Sequence, residues 1–342
     1  MESYRKSYKD KRILVTGGAG AIGSNLTREL SKSGAEMVMV LDDLSSAEKW
    51  NIPSMPNVLF VEGDVLDEEK LKRVFLEEPD YVFHLAAFFA NQNSIDNPER
   101  DLAVNGLGTL KLLRYSQLAK IKRFVYASSG CSIYGNSSPL PLREEFVSLH
   151  LSSPYQISKM LGELYCNFFN HHYDLPVVKT RFFNSYGPGE VPGQYRNVIP
   201  NFIYWAMLGK SLPITGTGKE TRDFTYVGDI VEGLLRAGYF KKAIGQEMNI
   251  ASGKETTIID LAKRINALTG NKSGLGFVKK RKWDTKPRLL ASIDNAKSII
   301  GYRPKVGIDE GLDLTIAWFR ENWANIKKSA RFEPGMSSAV RT

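Results

Sequence analysis

The segment Ile13-Leu14-Val15-Thr16-Gly17-Gly18-Ala19-Gly20-Ala21-Ile22-Gly23 decides how this chain folds. An apolar run typical of a buried strand leads into three glycines at three-residue spacing, and a segment with helical spacing follows them. Gly17 permits a tight turn, Gly20 lets the backbone approach a ligand, and Gly23 allows close packing of the helix against the sheet. Because a helix N-terminus favours an anion, the segment predicts a strand-turn-helix unit that binds the pyrophosphate of a dinucleotide.

Two aspartates end the second predicted strand. Asp42 follows Gly23 by nineteen residues, where a carboxylate can accept hydrogen bonds from an adenosine ribose, and Asp43 adjoins it. The carboxylate would also repel a 2′-phosphate, so the position favours NAD over NADP. After the third predicted strand, Asp64 and Val65 could contact the adenine or could simply form a strand-end turn.

Short apolar runs alternate with longer amphipathic segments through the first half of the chain. We expect strands over residues 12–16, 37–41, 58–61, 81–84 and 123–127. We expect helices between them, for instance over residues 22–33 and 98–119. This alternation predicts an α/β fold with a doubly wound parallel Rossmann sheet and helices on both of its faces.

The second half of the chain is richer in glycine and proline. We expect residues 11–181 to form mainly the NAD-binding Rossmann domain. Residues 182–326 are expected to form mainly a smaller α/β lobe that binds the substrate, with elements of the two parts interleaved. Residues 1–10 and 327–342 are expected to be flexible tails.

The composition is ordinary for a soluble globular protein, with 42% hydrophobic and 24% charged residues among 342. No apolar stretch approaches the ~18 residues that span a bilayer, and the first residues form no apolar leader, so we expect a cytoplasmic protein without membrane contact. Cys131 and Cys166 are too few for a disulfide framework, and the four histidines lack zinc-ligand spacing, so no metal is expected. The net charge of +9 is scattered, which favours a small anionic substrate over nucleic acid.

Tyr155 and Lys159 lie four residues apart on a predicted helix that opens after Pro154, so they share one face. A tyrosine with an ordinary pKa near 10 is a poor base, but a nearby ammonium and a positively charged nicotinamide both favour the phenolate. Such a pair would usually be a solvated helix face. Here the predicted strand before it runs into Ser128-Ser129, twenty-six residues ahead of Tyr155, and a hydroxyl at that strand end could donate to a sugar oxygen.

Taken together, the motifs resemble the extended short-chain dehydrogenase/reductase superfamily, in its branch of NAD-dependent sugar-nucleotide epimerases and dehydratases. The resemblance covers about residues 11–323. It rests on the ordered matches Thr16-Gly17-Gly18-Ala19-Gly20-Ala21-Ile22-Gly23, Asp42-Asp43-Leu44-Ser45, Gly63-Asp64-Val65, His84-Leu85-Ala86-Ala87, Asn105-Gly106-Leu107-Gly108-Thr109, Tyr155 with Lys159, Arg181-Phe182-Phe183-Asn184-Ser185-Tyr186-Gly187-Pro188 and Thr221-Arg222-Asp223-Phe224-Thr225-Tyr226-Val227.

The resemblance implies that Ser129, Tyr155 and Lys159 act together on the hydroxyl being oxidised. It implies a cofactor site that comprises Gly17, Gly20, Ala21, Ile22, Gly23, Asp42, Asp43, Asp64, Val65, Ala86, Ala87, Asn105, Tyr155 and Lys159. It also implies that the nucleotide and its pyrophosphate are held by Asn184, Asn197, Val198, Arg222 and Arg281. A planar arginine fork suits a phosphate. Alternatively, Arg222 could form a surface ion pair with Asp223, and Arg281 could belong to a solvated basic run. His84 is expected to be a buried strand-end residue.

The stretch from residue 128 to residue 135 is one residue longer than is usual in the family. Counting from the strand selects Ser129, whereas counting back from Tyr134 selects Gly130, which has no side chain; Ser132 stays possible. The stretch lacks the acidic residues that 4,6-dehydratases and nucleotide-glucuronate decarboxylases carry there. The leading expectation is therefore a UDP-sugar 4-epimerase that works through a transient 4-keto intermediate.

Other functions remain open at this point. They are a nucleotide-glucuronate epimerase or decarboxylase, a 4,6-dehydratase, and a catalytically silent NAD-sensing protein. A further rival resembles GDP-mannose 3,5-epimerases, which place a catalytic cysteine where Cys131 falls. That cysteine could equally be a small space-filling residue.

A homodimer is also expected, because relatives pair the helix that carries Tyr155 with the preceding long helix of each subunit. Leu161, Leu164 and Phe168 have the spacing of a buried stripe on that helix. The same stripe could instead face the protein's own sheet.

Overall fold

A computed structural model describes residues 3–135, 138–279, 286–330 and 332. Its strands are β1 (Arg12–Thr16), β2 (Met37–Asp42), β3 (Val58–Glu62), β4 (Tyr81–His84), β5 (Arg123–Ser129), β6 (Val177–Phe182), β7 (Ser185–Tyr186), β8 (Leu212–Thr215), β9 (Thr221–Asp223), β10 (Thr225–Tyr226), β11 (Glu247–Ile250), β12 (Glu255–Thr257) and β13 (Leu275–Val278).

The helices are α1 (Ser3–Lys6), α2 (Ala21–Lys32), α3 (Glu68–Phe75), α4 (Asn91–Asp96), α5 (Pro98–Asp101), α6 (Thr109–Leu118), α7 (Pro154–Tyr173), α8 (Val198–Met207), α9 (Val227–Tyr239), α10 (Ile258–Thr269), α11 (Asp294–Ile300), α12 (Ile308–Glu321) and α13 (Trp323–Ser329). Short 3₁₀ turns occur at Lys49–Asn51 and Lys241–Ala243, and a π-helix at Leu102–Gly108. None of the helices in the described ranges is long and apolar enough to cross a membrane.

The centre of the molecule is a seven-stranded sheet in the order β11-β6-β5-β4-β1-β2-β3, and all of its pairs are parallel. Alternate residues of β1 point to opposite faces: Ile13 and Val15 join the core under α2, α9 and α11, whereas Leu14 joins the core under α3, α6 and α7. This arrangement confirms the predicted doubly wound Rossmann sheet.

A third core lies beyond the sheet. Its buried side chains come from α8, α10, α12, α13 and β8, and Phe202, Ile214, Leu261 and Phe319 are among them. Between the parts of the chain that build this core, α9 packs against α2 and β11 joins the edge of the central sheet beside β6. The division of the chain at residue 181 therefore stays a prediction. Among the elements after this residue, α9 and β11 pack with the Rossmann sheet.

The N-terminal residues correct one expectation. Residues 3–10 were expected to be part of a flexible tail, but Tyr4 and Tyr8 are buried in the core that contains α9. Their hydroxyls donate to the carboxylate of Glu232 and to the carbonyl oxygen of Leu235 at 2.7 Å each. At the other end, residues 327–329 belong to α13 rather than to a tail, since Ile326 and Ser329 are buried.

The expected helix over residues 98–119 is also more complex than the sequence indicates. The chain is helical throughout, but the turns of Leu102–Gly108 have π geometry between α5 and α6. Such wide turns often occur near functional sites. Here the π-helix carries Asn105, whose side chain holds a loop of the cleft described below.

Candidate active site

A cleft of about 520 Å³ lies between the carboxyl ends of the central strands and the third core. It is lined by the glycine-rich turn, by residues that follow β2, β3, β4 and β5, by the start of α7, and by α8, β9 and the segment at residue 286. In a parallel α/β sheet this edge is where ligands bind. The cleft therefore collects most of the residues that the sequence analysis singled out.

The glycine-rich turn has the shape that its sequence requires. Gly17 has a φ of +71°, and a Cβ there would lie 2.6 Å from the backbone nitrogen of Ala86. A Cβ on Gly23 would lie 2.2 Å from the carbonyl oxygen of Gly17, so both positions exclude a side chain. Gly20 has no neighbour closer than 3.4 Å to an added Cβ, and Ala21 and Ile22 begin α2 beside it. This cradle fits a dinucleotide pyrophosphate at the N-terminus of α2.

Asp42 is tied to this turn. Its carboxylate accepts hydrogen bonds from the backbone N–H groups of Ala19 and Leu44, both at 2.9 Å. Burial raises the pKa of Asp42, and the two backbone donors oppose that shift. Asp43 also lines the cleft, and its carboxylate accepts from the backbone and hydroxyl of Ser45.

The residues after β3 behave differently from one another. Val65 lines the cleft, whereas the carboxylate of Asp64 accepts from the backbone of Leu66 and from the guanidinium of Arg100 at 2.6 Å. Arg100 also lies 3.5 Å from Asp43 and lines the cleft, so it connects the ends of β2 and β3. The sequence analysis missed Arg100 because an arginine on a predicted amphipathic helix carries no distinguishing signal.

The loop after β4 forms another wall of the cleft. Ala86 and Ala87 line it, and Asn105 lies behind them. The Asn105 side chain accepts from the backbone N–H of Phe88 at 2.8 Å and donates to the carbonyl oxygen of Phe88 at 3.2 Å. Asn105 thus supports the loop rather than lining the cleft.

His84 is a structural residue, as expected. Its ring nitrogens hydrogen-bond with the hydroxyls of Thr16 and Thr109 at 2.8 and 2.9 Å. Burial lowers the pKa of His84 to about 3, so the ring is neutral.

The hydroxyl groups of Tyr155 and Ser129 meet in the cleft. Tyr155 lies in the first turn of α7, which begins after the N-cap Ser153, and Ser129 is the last residue of β5. The Ser129 side chain interacts with the Tyr155 hydroxyl and acts to lower its pKa. The Ser132 hydroxyl donates to the Ser129 oxygen at 2.8 Å.

Lys159 lies one turn further along α7. Its Nζ donates to the carbonyl oxygen of Ala127 at 2.9 Å and lies 5.8 Å from the centre of the Tyr155 ring. The ammonium of Lys159 and a positively charged nicotinamide were expected to favour the phenolate of Tyr155. In the structure, burial raises the pKa of Tyr155 well above its usual range, and the carboxylate of Asp101 acts in the same direction. Burial also lowers the pKa of Lys159 to about 8.

The structure distinguishes among the candidate catalytic residues at positions 129–132. A Cβ on Gly130 would lie 1.9 Å from the Phe183 ring, so no side chain fits there. Cys131 lines the cleft, and burial raises the pKa of its thiol; the backbone N–H of Asn184 and the cations Lys286 and Arg222 oppose this shift only in part. Ser129 is thus the residue of this stretch whose side chain interacts with the Tyr155 hydroxyl.

The residues expected to hold the nucleotide lie on the other wall of the cleft. Asn184, Asn197, Val198 and Arg222 all line it, and Asn197 and Val198 begin α8. The alternative for Arg222 was a surface ion pair with Asp223. The Asp223 carboxylate is instead buried and accepts hydrogen bonds from the backbone N–H groups of Ser252, Gly253 and Ala291. Arg281 lies outside the described residues.

Several residues in or beside the cleft had no signal in the sequence. Asn51 donates to the carbonyl oxygens of Ala19 and Gly189, so it joins the glycine-rich turn to the loop before α8. Glu190 is buried in that loop, and burial raises its pKa to about 7. Lys286 lines the cleft opposite Cys131. Within the described ranges, no group of three or more potential metal ligands occurs.

Comparison with known proteins decides the family. A profile of the NAD dependent epimerase/dehydratase family matches residues 13–251, well over half of the chain. The chain belongs to this family. It is accordingly an enzyme that uses NAD, as the resemblance implied, and the shape of the glycine-rich turn fits that cofactor.

The relatives within the family are similar over most of their length. The chain is 34% identical to a UDP-glucose 4-epimerase of Mycolicibacterium smegmatis, over 90% of this chain and 98% of the relative. Among solved structures, an epimerase from Methanothermobacter thermautotrophicus is 57% identical, with a TM-score of 0.95 and coverage of 96% and 98%. A UDP-glucose 4-epimerase of Thermotoga maritima with UDP-glucose is 36% identical, with a TM-score of 0.87 and coverage of 91% and 99%.

Proposed function

We propose that this enzyme is a 4-epimerase of UDP-sugars that works through a transient 4-keto sugar. The observation that carries the proposal is the pair of facing hydroxyls, Ser129 and Tyr155, in the same cleft as the glycine-rich turn and Arg222. The similarity to UDP-glucose 4-epimerases over at least 90% of this chain supports the choice of substrate and reaction.

In this proposal Tyr155 is the acid and base. Its hydroxyl takes the proton from the C4 hydroxyl of the sugar and later returns it, while Ser129 donates a hydrogen bond and Ser132 orients Ser129. Because burial raises the pKa of Tyr155, positive charge must lie near it when it acts as a base. Lys159, fixed between β5 and the ring of Tyr155, supplies such a charge.

We propose that the cofactor is held at the glycine-rich turn, with its adenosine ribose toward Asp42 and with Ala86 and Ala87 beside it. Bound NAD supplies a reversible acceptor for the hydrogen at C4. Asn105 keeps the loop after β4 in place through its two hydrogen bonds with Phe88. Val65 and Arg100 close the adenosine end of the cleft.

The nucleotide of the substrate is proposed to lie against α8 and β9. Asn197 and Val198 place the N-terminus of α8 at the cleft, where unpaired backbone N–H groups favour a phosphate. Arg222 on β9 can donate to the diphosphate, and Asn184, whose side chain donates to the carbonyl oxygen of Asp223, lines the same cleft. Arg281 stays a predicted substrate residue outside the described part of the chain.

We infer that the enzyme is a homodimer built on α7. Leu164 and Phe168 are 57% and 49% exposed on this helix, whereas Cys166 and Phe169 are buried against the sheet. Leu164 and Phe168 of the stripe thus face outward, whereas Leu161 is half-buried beside Gly106 of the π-helix. Leu102 and Leu107 of the neighbouring π-helix are 54% and 48% exposed and could complete the contact. A cytoplasmic location stays a prediction. Cys131 and Cys166 are both free thiols in the structure.

A product assay tests the proposed reaction. Purified enzyme with NAD is incubated with UDP-, GDP-, CDP- and dTDP-hexoses, and the sugars are identified by NMR. We expect interconversion of a UDP-hexose with its C4 epimer. Product inverted at C3 or C5, or a 4-keto-6-deoxy sugar, would contradict the proposal.

A further inference from the structure

Lys286 occupies a position in the cleft that the proposed mechanism does not use. Its Nζ donates to the carbonyl oxygen of Cys131 at 2.9 Å. Cys131 follows Ser129 by two residues, so the ammonium lies at the loop that carries one of the two facing hydroxyls. The lysine and these hydroxyls line the same cleft.

The backbone around Lys286 is fixed to β9. Thr221 donates to the carbonyl oxygen of Pro287 at 3.0 Å, and Leu289 donates back to Thr221 at 3.2 Å. The guanidinium of Arg222 donates to the carbonyl oxygen of Lys286 at 3.2 Å. The lysine is thus held between Arg222, on the proposed diphosphate side, and the loop at Cys131.

The charge of Lys286 has no internal partner among the described residues. No carboxylate of the described ranges lies within 4 Å of its Nζ, and its one hydrogen bond there leaves donor capacity of the ammonium unused. Burial, opposed in part by Cys131 and reinforced by the neighbouring Arg222, lowers the pKa of Lys286 to about 8. Because charges removed from water are usually paired, an anion of a ligand bound in the cleft would stabilise this ammonium.

We propose that Lys286 is a substrate-binding residue that holds an oxyanion next to the reacting sugar. Two groups of a nucleotide sugar have this chemistry: the sugar-linked phosphate and a carboxylate at C6. The assignment rests on the proposed function for the identity of the nucleotide. It adds a specificity-determining contact to that function, because a C6 carboxylate would distinguish uronates from neutral hexoses.

Binding measurements separate the two sources of the oxyanion. Calorimetry on the NAD-loaded enzyme compares UMP, UDP, UDP-glucose and UDP-glucuronate for the wild type and for Lys286→Met and Lys286→Arg, with exposed Lys297→Met as the control. If Lys286 holds the sugar-linked phosphate, Lys286→Met weakens UDP and both sugars about tenfold or more and leaves UMP unchanged. If it holds a carboxylate, only UDP-glucuronate is weakened to that extent. Lys286→Arg should retain most of the affinity in either case.

Other results of the same binding measurements would contradict the assigned role of Lys286. Affinities within about twofold for all four ligands, or an equal loss that includes UMP, would overturn the assignment. Because the readout is binding, an enzyme that fails to epimerise would contradict the proposed reaction and still report on Lys286. A wild-type enzyme that binds none of the four uridine ligands would contradict the proposed substrate class and this assignment with it.

Discussion

The ammonium of Lys159 donates a 2.9 Å hydrogen bond to the carbonyl oxygen of Ala127. This contact fixes a side chain of α7 to the strand that ends at Ser129, so the helix with Tyr155 is held in register with β5. The ion pair of Arg181 with Glu163, one turn further along α7, fixes the same helix to β6. The two hydroxyls therefore rest on β5 and on a helix that is fixed to β5 and β6, rather than on loops.

Tyr155→Phe tests the acid/base role. The substitution removes the hydroxyl and keeps the ring packed beside Phe89, so we expect kcat to fall by about 10²- to 10⁴-fold with little change in NAD affinity. Steady-state rates and calorimetry measure the two effects. Tyr115→Phe, which loses a surface hydroxyl that donates to Glu68, is the control. Wild-type turnover by Tyr155→Phe would show that the assigned base is wrong.

Lys159 should impose a pH dependence on stability. Its pKa is lowered to about 8 from 10.5, so between these pH values the unfolded chain holds a proton that the folded protein lacks. The free energy of unfolding therefore rises with pH across this window, and the destabilisation is complete below about pH 8. Relative to Lys159→Met, which cannot titrate, wild type should gain about 3 kcal/mol from pH 8 to 10.5.

Urea unfolding at several pH values measures this gain, with exposed Lys297→Met as the control for removal of a charge. Parallel stability curves for wild type and Lys159→Met would contradict the assigned burial of the ammonium.

The sequence predicted those parts of the site whose residues lie close together along the chain, and missed contacts between residues that are far apart in sequence. The glycine-rich turn, Asp42, Tyr155 and Lys159 belong to local patterns, and the predicted strands differ from the observed ones only at their ends. Asn51 and Gly189 lie 138 residues apart, and Lys286 and Cys131 lie 155 apart. Such contacts exist only once the lobes are packed. The direction of the Tyr155 pKa shift was likewise hidden, because desolvation depends on what covers the residue.

Asp42→Asn tests the choice of cofactor. The amide keeps the size of the side chain but removes the charge that accepts from Ala19 and is proposed to accept from the ribose. We expect NAD affinity to fall about tenfold and the preference for NAD over NADP to shrink. Calorimetry with both cofactors gives the result, and exposed Asp313→Asn is the control. Tighter binding of NADP than NAD by the wild type would refute the assigned role.

A double substitution tests the dimer. Leu164→Glu with Phe168→Glu places two carboxylates on the exposed stripe of α7, where burial in an interface would cost several kcal/mol. Light scattering at micromolar concentration should show a dimer for wild type and a monomer for the variant. Leu76→Glu, at an exposed position after α3, should remain dimeric. A monomeric wild type would reject the inferred assembly.

The most direct test of the central claim is the reaction in D₂O, followed by NMR of the sugar carbons. In a 4-epimerisation the hydrogen that leaves C4 returns to C4 without exchange with water, whereas epimerisation at C3 or C5 replaces a carbon-bound hydrogen by one from solvent. The raised pKa of the Cys131 thiol agrees with the first course. We predict a C4 epimer without deuterium at any sugar carbon, and most activity retained in Cys131→Ala. Deuterium at C3 or C5 that disappears in Cys131→Ala would contradict the account.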